Sequence, residues 1–576
     1  MSFKQFLLPV IYLCVAGAAC AQTTFIPLDQ YAYPALDRLE IKSGHLSTRF
    51  NSGIKPYGRD AVAGFVWEMD SLSKTGQDSL PFLHPYWHQT HLSRVDRYNM
   101  RKLLMDNAEW VPDSAGFIAS KHPLWNTIYR DKANFFTVNQ PDFFLAVNPL
   151  IRLQAGKESE DSKMDYIAAR GVELRGRIAD KVGFYVSFTE NQERPPYFVQ
   201  DRTNRWKAVP GIGYYKNLKN GEVDYLNTTG YVTFGVTKYI DVVFGYGNNF
   251  IGDGYRSLFL SDYSPNYLYL ELNTHIWKLN YTNIFAELTS AFDRNNGDFL
   301  RPKKYMALHE LNMNVTPWLN LGLFENIIFS RKDHFEFQYL NPIIFYRSVE
   351  QGLGSPDNAN IGLNAKAIVA HHFEFYSQFF LDELKVKEFL GGNGWWGNKW
   401  ALQLGGKYVD AFAINNLDLQ GEVNIIRPYT YTHGDSVSNY SNYNEPLAHP
   451  QGANLVEAAA VIRYQPINKL YLEARLIASQ QGKDDSLYDW GSNIFINYRY
   501  HAKNYGNRIG QGLHNNLVNV SLTASYELKH NLFVDVSYLK RKTSGPYAAY
   551  YDLTHQSTGL FSVGLRWNMG RRDYDY

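Results

Sequence analysis

Cysteine is almost missing from this chain: among 576 residues there are two, Cys14 and Cys20. Both fall in Met1–Ala21, which reads as a secretory signal peptide. Lys4 supplies its positive start, Phe6 to Val15 its apolar stretch, and Ala19-Cys20-Ala21 a small-residue cleavage site before Gln22. Cleavage after Ala21 leaves a mature chain without a thiol, which excludes disulfides, thiolate metal sites and a cysteine nucleophile. An alternative reading takes Gly17-Ala18-Ala19-Cys20 as a lipidation site acylated at Cys20, but Gly17 stands where a large aliphatic residue is usual. Long hydrophobic runs are also missing. Beyond the leader no apolar stretch approaches the ~20 residues of a membrane helix, so a membrane could be crossed only by strands. Charge of one sign is lacking too: the formal net charge is +1, which gives no polybasic case for a nucleic-acid partner.

What is abundant is aromatic. Aromatics make up 16% of the chain, with 43 tyrosines, against a mean hydropathy of −0.37. That pairing fits a barrel wall, which meets lipid only at every second residue and carries aromatic girdles at both interfaces. The last predicted strand shows the pattern: Phe561, Val563, Leu565, Trp567 and Met569 alternate with Ser562, Gly564, Arg566 and Asn568. Period-two alternation gives one apolar face and one wet face. Similar runs are Val182-Phe184-Val186-Phe188, Ile240-Val242-Phe244-Tyr246, Leu470-Leu472-Ala474-Leu476 and Val518-Val520-Leu522-Ala524-Tyr526. The expected fold is all-β: a large antiparallel transmembrane β-barrel of about 16–18 strands in the outer membrane, with a small N-terminal helical element.

Three regions follow: a signal peptide over 1–21, an N-terminal periplasmic, helical region over 22–149, and the barrel over 150–576. Asp60 to Met69 and Arg94 to Trp110 have helical spacing and are expected to cover the periplasmic mouth. Turns are expected at Ala179-Asp180-Lys181 and at His371-His372. Polar segments at Gln192–Gly230, Gly391–Asn398, Arg427–Gly452 and Gln481–Asn515 are expected as outward loops.

Several segments, in consistent order, resemble the Wzi-type capsule assembly proteins, and more closely the related barrels labelled gliding motility protein RemB. They are Lys55-Pro56-Tyr57-Gly58-Arg59, Asp142 to Pro149, Arg170 to Gly176, Thr189-Glu190-Asn191-Gln192, Ile251 to Leu258, Tyr339-Leu340-Asn341-Pro342 and Ser355-Pro356-Asp357-Asn358. The resemblance implies a non-catalytic outer-membrane barrel, monomeric and embedded in outer-membrane lipid, that binds or anchors exported, capsular polysaccharide at the cell surface. The alternatives are a component of the gliding motility or adhesion machinery, with surface proteins as partners, and a diffusion porin. No cofactor is implied. Sugar-binding residues do not carry over, because the outward loops match no motif.

Candidate sites therefore rest on chemistry. A polysaccharide site needs flat rings to stack on pyranose faces and amides to meet hydroxyls. Trp395 and Trp396 stand beside Asn393 and Asn398 in a glycine-rich loop, and Tyr440, Asn442 and Tyr443 offer the same chemistry in another. The competing reading makes these aromatics girdle residues or loop anchors. His84, His88 and His91 have zinc-like spacing, but Pro81 and Pro85 oppose a regular helix and no metal is expected. Ile251 to Leu258 matches no nucleotide motif, and its glycines are expected to permit a bulge or tight turn of the wall, with Asp253 and Arg256 pairing if they face the lumen. No acid–base pair or catalytic triad can be picked out, and no enzyme is expected.

Overall fold

The computed structural model describes residues 22–75, 91–112, 118–120, 128–290, 301–331, 334–354, 357–435, 437–546 and 557–576. The leader Met1–Ala21, with its cleavage and lipidation readings, and His84 and His88 lie outside the described residues. Among the described residues no helix is long and apolar enough to cross a membrane.

The chain forms a closed ring of 18 antiparallel strands. They are β1 (Phe143–Glu158), β2 (Met164–Ile178), β3 (Val182–Arg194), β4 (Val223–Thr237), β5 (Ile240–Gly247), β6 (Tyr267–Ile276), β7 (Leu279–Thr289), β8 (Lys303–Thr316) and β9 (Leu319–Phe329). The second half holds β10 (Asn358–Val369), β11 (Phe373–Glu383), β12 (Lys399–Tyr408), β13 (Leu417–Ile426), β14 (Leu455–Ile467), β15 (Leu470–Lys483), β16 (Leu513–Lys529), β17 (Leu532–Ser544) and β18 (Ser557–Trp567). The ring closes where β18 pairs with β1, with Trp567 opposite Ile151 and Leu560 opposite Glu158. Closure leaves the sheet no free edge, which satisfies the backbone without water. Alternation survives with its usual sense reversed: Phe561 is 51% exposed on the outer wall, whereas Ser562 is 3% exposed inside.

The short turns gather at one end. Ala179-Asp180 and Ala370-His371 both have positive φ at their two central residues (48° and 53°, then 53° and 58°), the mirror-image turn that matches strand twist. The long connections lie at the other end, which in this class of barrel faces outward.

The expected boundary at 149/150 falls inside β1. The missing N–H of Pro149 sits where the edge of β1 changes partners. Below it the strand Phe136–Gln140 pairs with β1 at Phe143 to Val147, and above it β18 takes over from Ile151.

Three helices, α1 (Ala32–Ser43), α2 (Arg59–Thr75) and α3 (Arg94–Asp106), cover the short-turn mouth. They share a core that includes Leu36, Leu39, Val62, Phe65, Val66, Met100, Leu103 and Leu104. Ser93 caps α3 in a reciprocal box with Asp96. Buried ion pairs dock the unit onto the barrel. Arg38 meets Asp96 at 2.7 Å, Asp410 at 2.5 Å and Asp418 at 2.5 Å, while Lys42 meets Asp96 at 2.8 Å and Asp410 at 2.7 Å. Glu40 pairs with Lys366 at 2.7 Å and Lys102 with Glu527 at 2.7 Å.

The lumen is crossed by three segments. The first, residues 248–266, was expected in the wall but folds inside, where Phe250–Ile251 pairs with Ile54–Lys55. Asp253 and Arg256 do not pair with each other. Asp253 meets Lys366 at 3.1 Å, and Arg256 meets Glu457 at 3.2 Å and Asp575 at 3.3 Å. Gly252 allows the close approach: its φ is +147°, and a Cβ there would lie 2.8 Å from Gln378 Nε2. The second is the β13–β14 connection, which turns inward rather than outward. Its Tyr429, Tyr431 and Tyr440 are fully buried, and Tyr431 Oη donates to the Leu258 carbonyl at 3.1 Å. The third is residues 568–576, which run up the inside from the short-turn end. Arg571 meets Glu473 at 2.6 Å, Asp573 meets Arg475 at 2.9 Å, and the Tyr574 carbonyl accepts from Asn519 Nδ2 at 2.9 Å.

Candidate functional site

At the long-loop mouth the filled lumen ends in a cleft of about 600 Å³. One wall is helix α4 (Tyr197–Trp206), which follows Pro195-Pro196 and ends at Lys207 in a left-handed conformation (φ 56°). Proline fits just ahead of the first turn, where an amide donor is not needed. Tyr197, Asp201 and Arg205 recur every four residues, and Phe198 and Arg202 accompany them, so one face of α4 lines the cleft. Its other face is held down by Val199 and Thr203.

The opposite wall is the β15–β16 connection. Asp484 accepts hydrogen bonds from Trp490 N at 2.6 Å and Ser492 Oγ at 3.0 Å, and Asp485 accepts from Trp490 Nε1 at 2.9 Å. These contacts fold the loop so that Ser492 to Ile496 face α4. Trp206 and Phe495 meet across the gap with ring centroids 5.0 Å apart, and both stay partly exposed. The floor holds Tyr576, at the top of the luminal segment, and Arg541 and Thr543 from β17.

The charges divide by their partners. Arg202 donates to Glu445 Oε2 at 3.2 Å and to the Pro450 carbonyl at 2.9 Å. Burial opposes its charge, but Tyr263 and Glu445 outweigh that and hold the guanidinium firmly protonated. Arg205 pairs with Asp201 at 3.0 Å. In the loop, burial and then the neighbouring Asp484 push the Asp489 carboxyl up to about 8. Arg541 lies over the Phe198 ring at 4.6 Å, and its Nε and Nη1, closed off from solvent, have no hydrogen-bond partner among the described residues.

The aromatic residues picked from sequence are placed elsewhere. Trp396 stacks on His501 (centroids 4.3 Å apart, planes 15° apart) and touches Tyr498, so it anchors two loops together. Trp395 is half-buried beside Lys385, and Asn393 is exposed but holds Glu388 at 2.5 Å. Asn398 is 3% exposed and accepts from Lys385 N at 3.0 Å. Tyr440 donates to the Phe259 carbonyl at 2.6 Å and accepts from Asn326 at 2.6 Å. Asn442 donates to the Pro265 carbonyl at 2.8 Å. Tyr443 is half-buried under the Arg301 guanidinium at 4.7 Å. Tyr440 and Asn442 thus bind the loop into the lumen, because their polar atoms face the inward-folded segments and not solvent. Of the histidine trio only His91 lies among the described residues, and it is exposed. No group of three metal-binding side chains occurs among the described residues. Sequence reasoning missed Tyr197, Phe198, Trp206, Phe495 and Tyr576. Four of them lie in the two segments read as outward loops, but nothing local marks which loop residues converge.

A closed all-antiparallel ring with an apolar outer band and a filled polar interior defines an outer-membrane-type β-barrel. No family model matches the chain, and no curated protein matches it in sequence. Among solved structures it is similar to Wzi of Escherichia coli, described as an outer-membrane protein involved in group 1 capsule assembly and a carbohydrate-binding β-barrel. That likeness has 13% identity and a TM-score of 0.55, over 96% of this chain and 100% of that one. It is also similar to OprD of Pseudomonas aeruginosa, at 11% identity and a TM-score of 0.41, over 73% of this chain and 94% of that one. OccK3 of the same organism follows at 9% identity and a TM-score of 0.41, over 73% of this chain and 95% of that one. The likeness to Wzi establishes a shared barrel fold.

Proposed function

We propose that this chain is a non-catalytic outer-membrane protein, exported by its signal peptide, that binds exported polysaccharide at the cell surface. The observation that carries the reading is the cleft at the long-loop mouth, where partly exposed rings converge with arginine and amide groups over a floor closed by protein. Such rings stack on pyranose faces while the polar groups meet hydroxyls. Weak contacts then add along one long polymer through high local concentration. Trp395 and Asn393, on the neighbouring loop, serve as an outlying contact. The carbohydrate binding stated for Wzi agrees with this reading. A diffusion porin is disfavoured by the three segments that cross the lumen.

The test compares cell-attached with released polysaccharide in a deletion strain and its complemented parent. A shift toward released polymer, reversed by the intact gene and not by a Trp206→Ala, Phe495→Ala variant, supports retention through the cleft. An unchanged ratio in the deletion strain refutes it, and protein partners of a motility or adhesion apparatus become the reading to pursue.

A further inference from the structure

Arginine 541 is unusual among the cations of this barrel. It points inward from β17 between Leu539, in the apolar cluster with Tyr574 and Tyr576, and Thr543 on the cleft wall. Its guanidinium lies over the Phe198 ring, 4.6 Å from the centroid, and forms no ion pair among the described residues. Two of its nitrogens, Nε and Nη1, are shielded from solvent and unpartnered. Sealing two guanidinium nitrogens from water without an acceptor is costly, because those donors have lost water and gained nothing. The acids that line the same cleft do not relieve it. Asp201 is paired with Arg205, and Asp484 and Asp485 are held by Trp490, Ser492 and backbone amides. Of the other cations on the cleft, Arg202 is taken up by Glu445 and Arg205 by Asp201, which leaves Arg541 as the cation there with no ion pair among the described residues.

We infer that the cleft selects an acidic polysaccharide, one whose repeat carries a uronic-acid carboxylate, and that Arg541 is the residue that reads that charge. The carboxylate accepts from the edge of the Arg541 guanidinium that faces the cleft, and the sugar ring lies against the partly exposed rings of Phe198 and Tyr197. Arginine suits this task because its planar fork matches a carboxylate with two parallel hydrogen bonds. A phosphate or sulfate substituent would present similar oxygens. The carboxylate is preferred because a single planar acceptor suits one guanidinium already covered on one face by Phe198.

The inference rests on the polysaccharide reading above, and one experiment separates the two. Full-length protein in detergent is titrated with polysaccharide extracted from the cells that express it, native and after chemical reduction of its carboxyl groups to alcohols. The expected result is native polymer bound about 10- to 100-fold more tightly than the reduced form, the worth of a charge-assisted pair. Arg541→Gln should bind both forms at the level at which the parent binds the reduced one, and Arg541→Lys should recover part of the preference. Gel mobility with and without heating confirms that both variants are folded barrels. Equal binding of the two forms by the parent that Arg541→Gln leaves undiminished, or a preference kept in Arg541→Gln, overturns the charge-reading role and leaves polysaccharide binding standing. A parent that binds neither form overturns both. Should phosphate or sulfate be the ligand, the parent would bind both forms equally and Arg541→Gln would bind both more weakly, which overturns the uronate assignment.

Discussion

One cation at each mouth of this barrel shows charge handled in opposite ways. At the short-turn end Arg38 and Lys42 are surrounded by Asp96, Asp410 and Asp418, so each cation is matched and the helical unit is fixed to the wall. At the long-loop end Arg541 meets a ring and no acid among the described residues. Matched charges inside a protein hold geometry, because removing one partner strands the other. An unmatched one costs stability unless something outside the chain completes it. On the proposed function, the contrast separates the end that stays shut from the end that receives the polymer.

The largest effect that would test the contrast comes from the matched end. Arg38→Met strands Asp418, leaves Asp96 and Asp410 with Lys42 alone, and should weaken docking of the helical unit by about 3–5 kcal/mol, read as hydrogen exchange or proteolysis over residues 32–106. The barrel itself should keep its heat-resistant mobility on gels; loss of both would mean the helices also hold the wall. Next, Trp206→Ala with Phe495→Ala should lower polysaccharide affinity about tenfold, or about 1.4 kcal/mol, without changing barrel stability. An unchanged affinity would move the binding surface off the cleft.

The pH dependence of the receiving end gives a third measurement. Asp489 has its folded pKa raised to about 8 by burial and by Asp484, against 3.8 when free. A raised carboxyl stabilises the folded loop fully below the free value, and that contribution is lost as pH rises through the folded one. Protection of the segment around Asp489 should therefore fall as pH rises from about 4 toward 8, by at most about 1.4 kcal/mol per unit, and level off above 8, and Asp489→Asn should flatten the profile. A profile that falls equally in the variant would assign the change to another group. The smallest effect is expected at Trp395, where Trp395→Ala should shift stability by less than about 0.5 kcal/mol and affinity by no more than about twofold. A larger loss of affinity there would make the glycine-rich loop a principal contact.

The wall was legible because lipid on one side and a polar interior on the other impose alternation on every strand, as in Phe561 to Trp567. Helices α2 and α3 were legible for a similar reason, each having one face against the core. Helix α1 was not, because Arg38, Glu40 and Lys42 are buried against the barrel and erase the stripe that marks a surface helix. The inward course of residues 248–266 and of the β13–β14 connection was hidden as well. Their tyrosines and amides have the composition of surface loops, and only the wall groups they meet, such as Gln378 and Asn326, draw them inside. The cleft fell between these cases. Its loops were found, but the residues that converge come from strands far apart in the chain, and convergence leaves no local trace.

The segment after Trp567 carries a consequence for how the molecule comes together. It enters the barrel at the short-turn end, where Gly570 N donates to Asp29 Oδ2 at 2.9 Å just ahead of α1, and it finishes under the long loops at Tyr576. The helices lie across that entrance. The geometry predicts an order of assembly: the final strand completes the ring, the trailing peptide threads upward, and the N-terminal unit seats itself last. An intermediate caught with its helices undocked should already shield Tyr576 from chemical labelling, and a reactive Tyr576 in that intermediate would reverse the sequence of events.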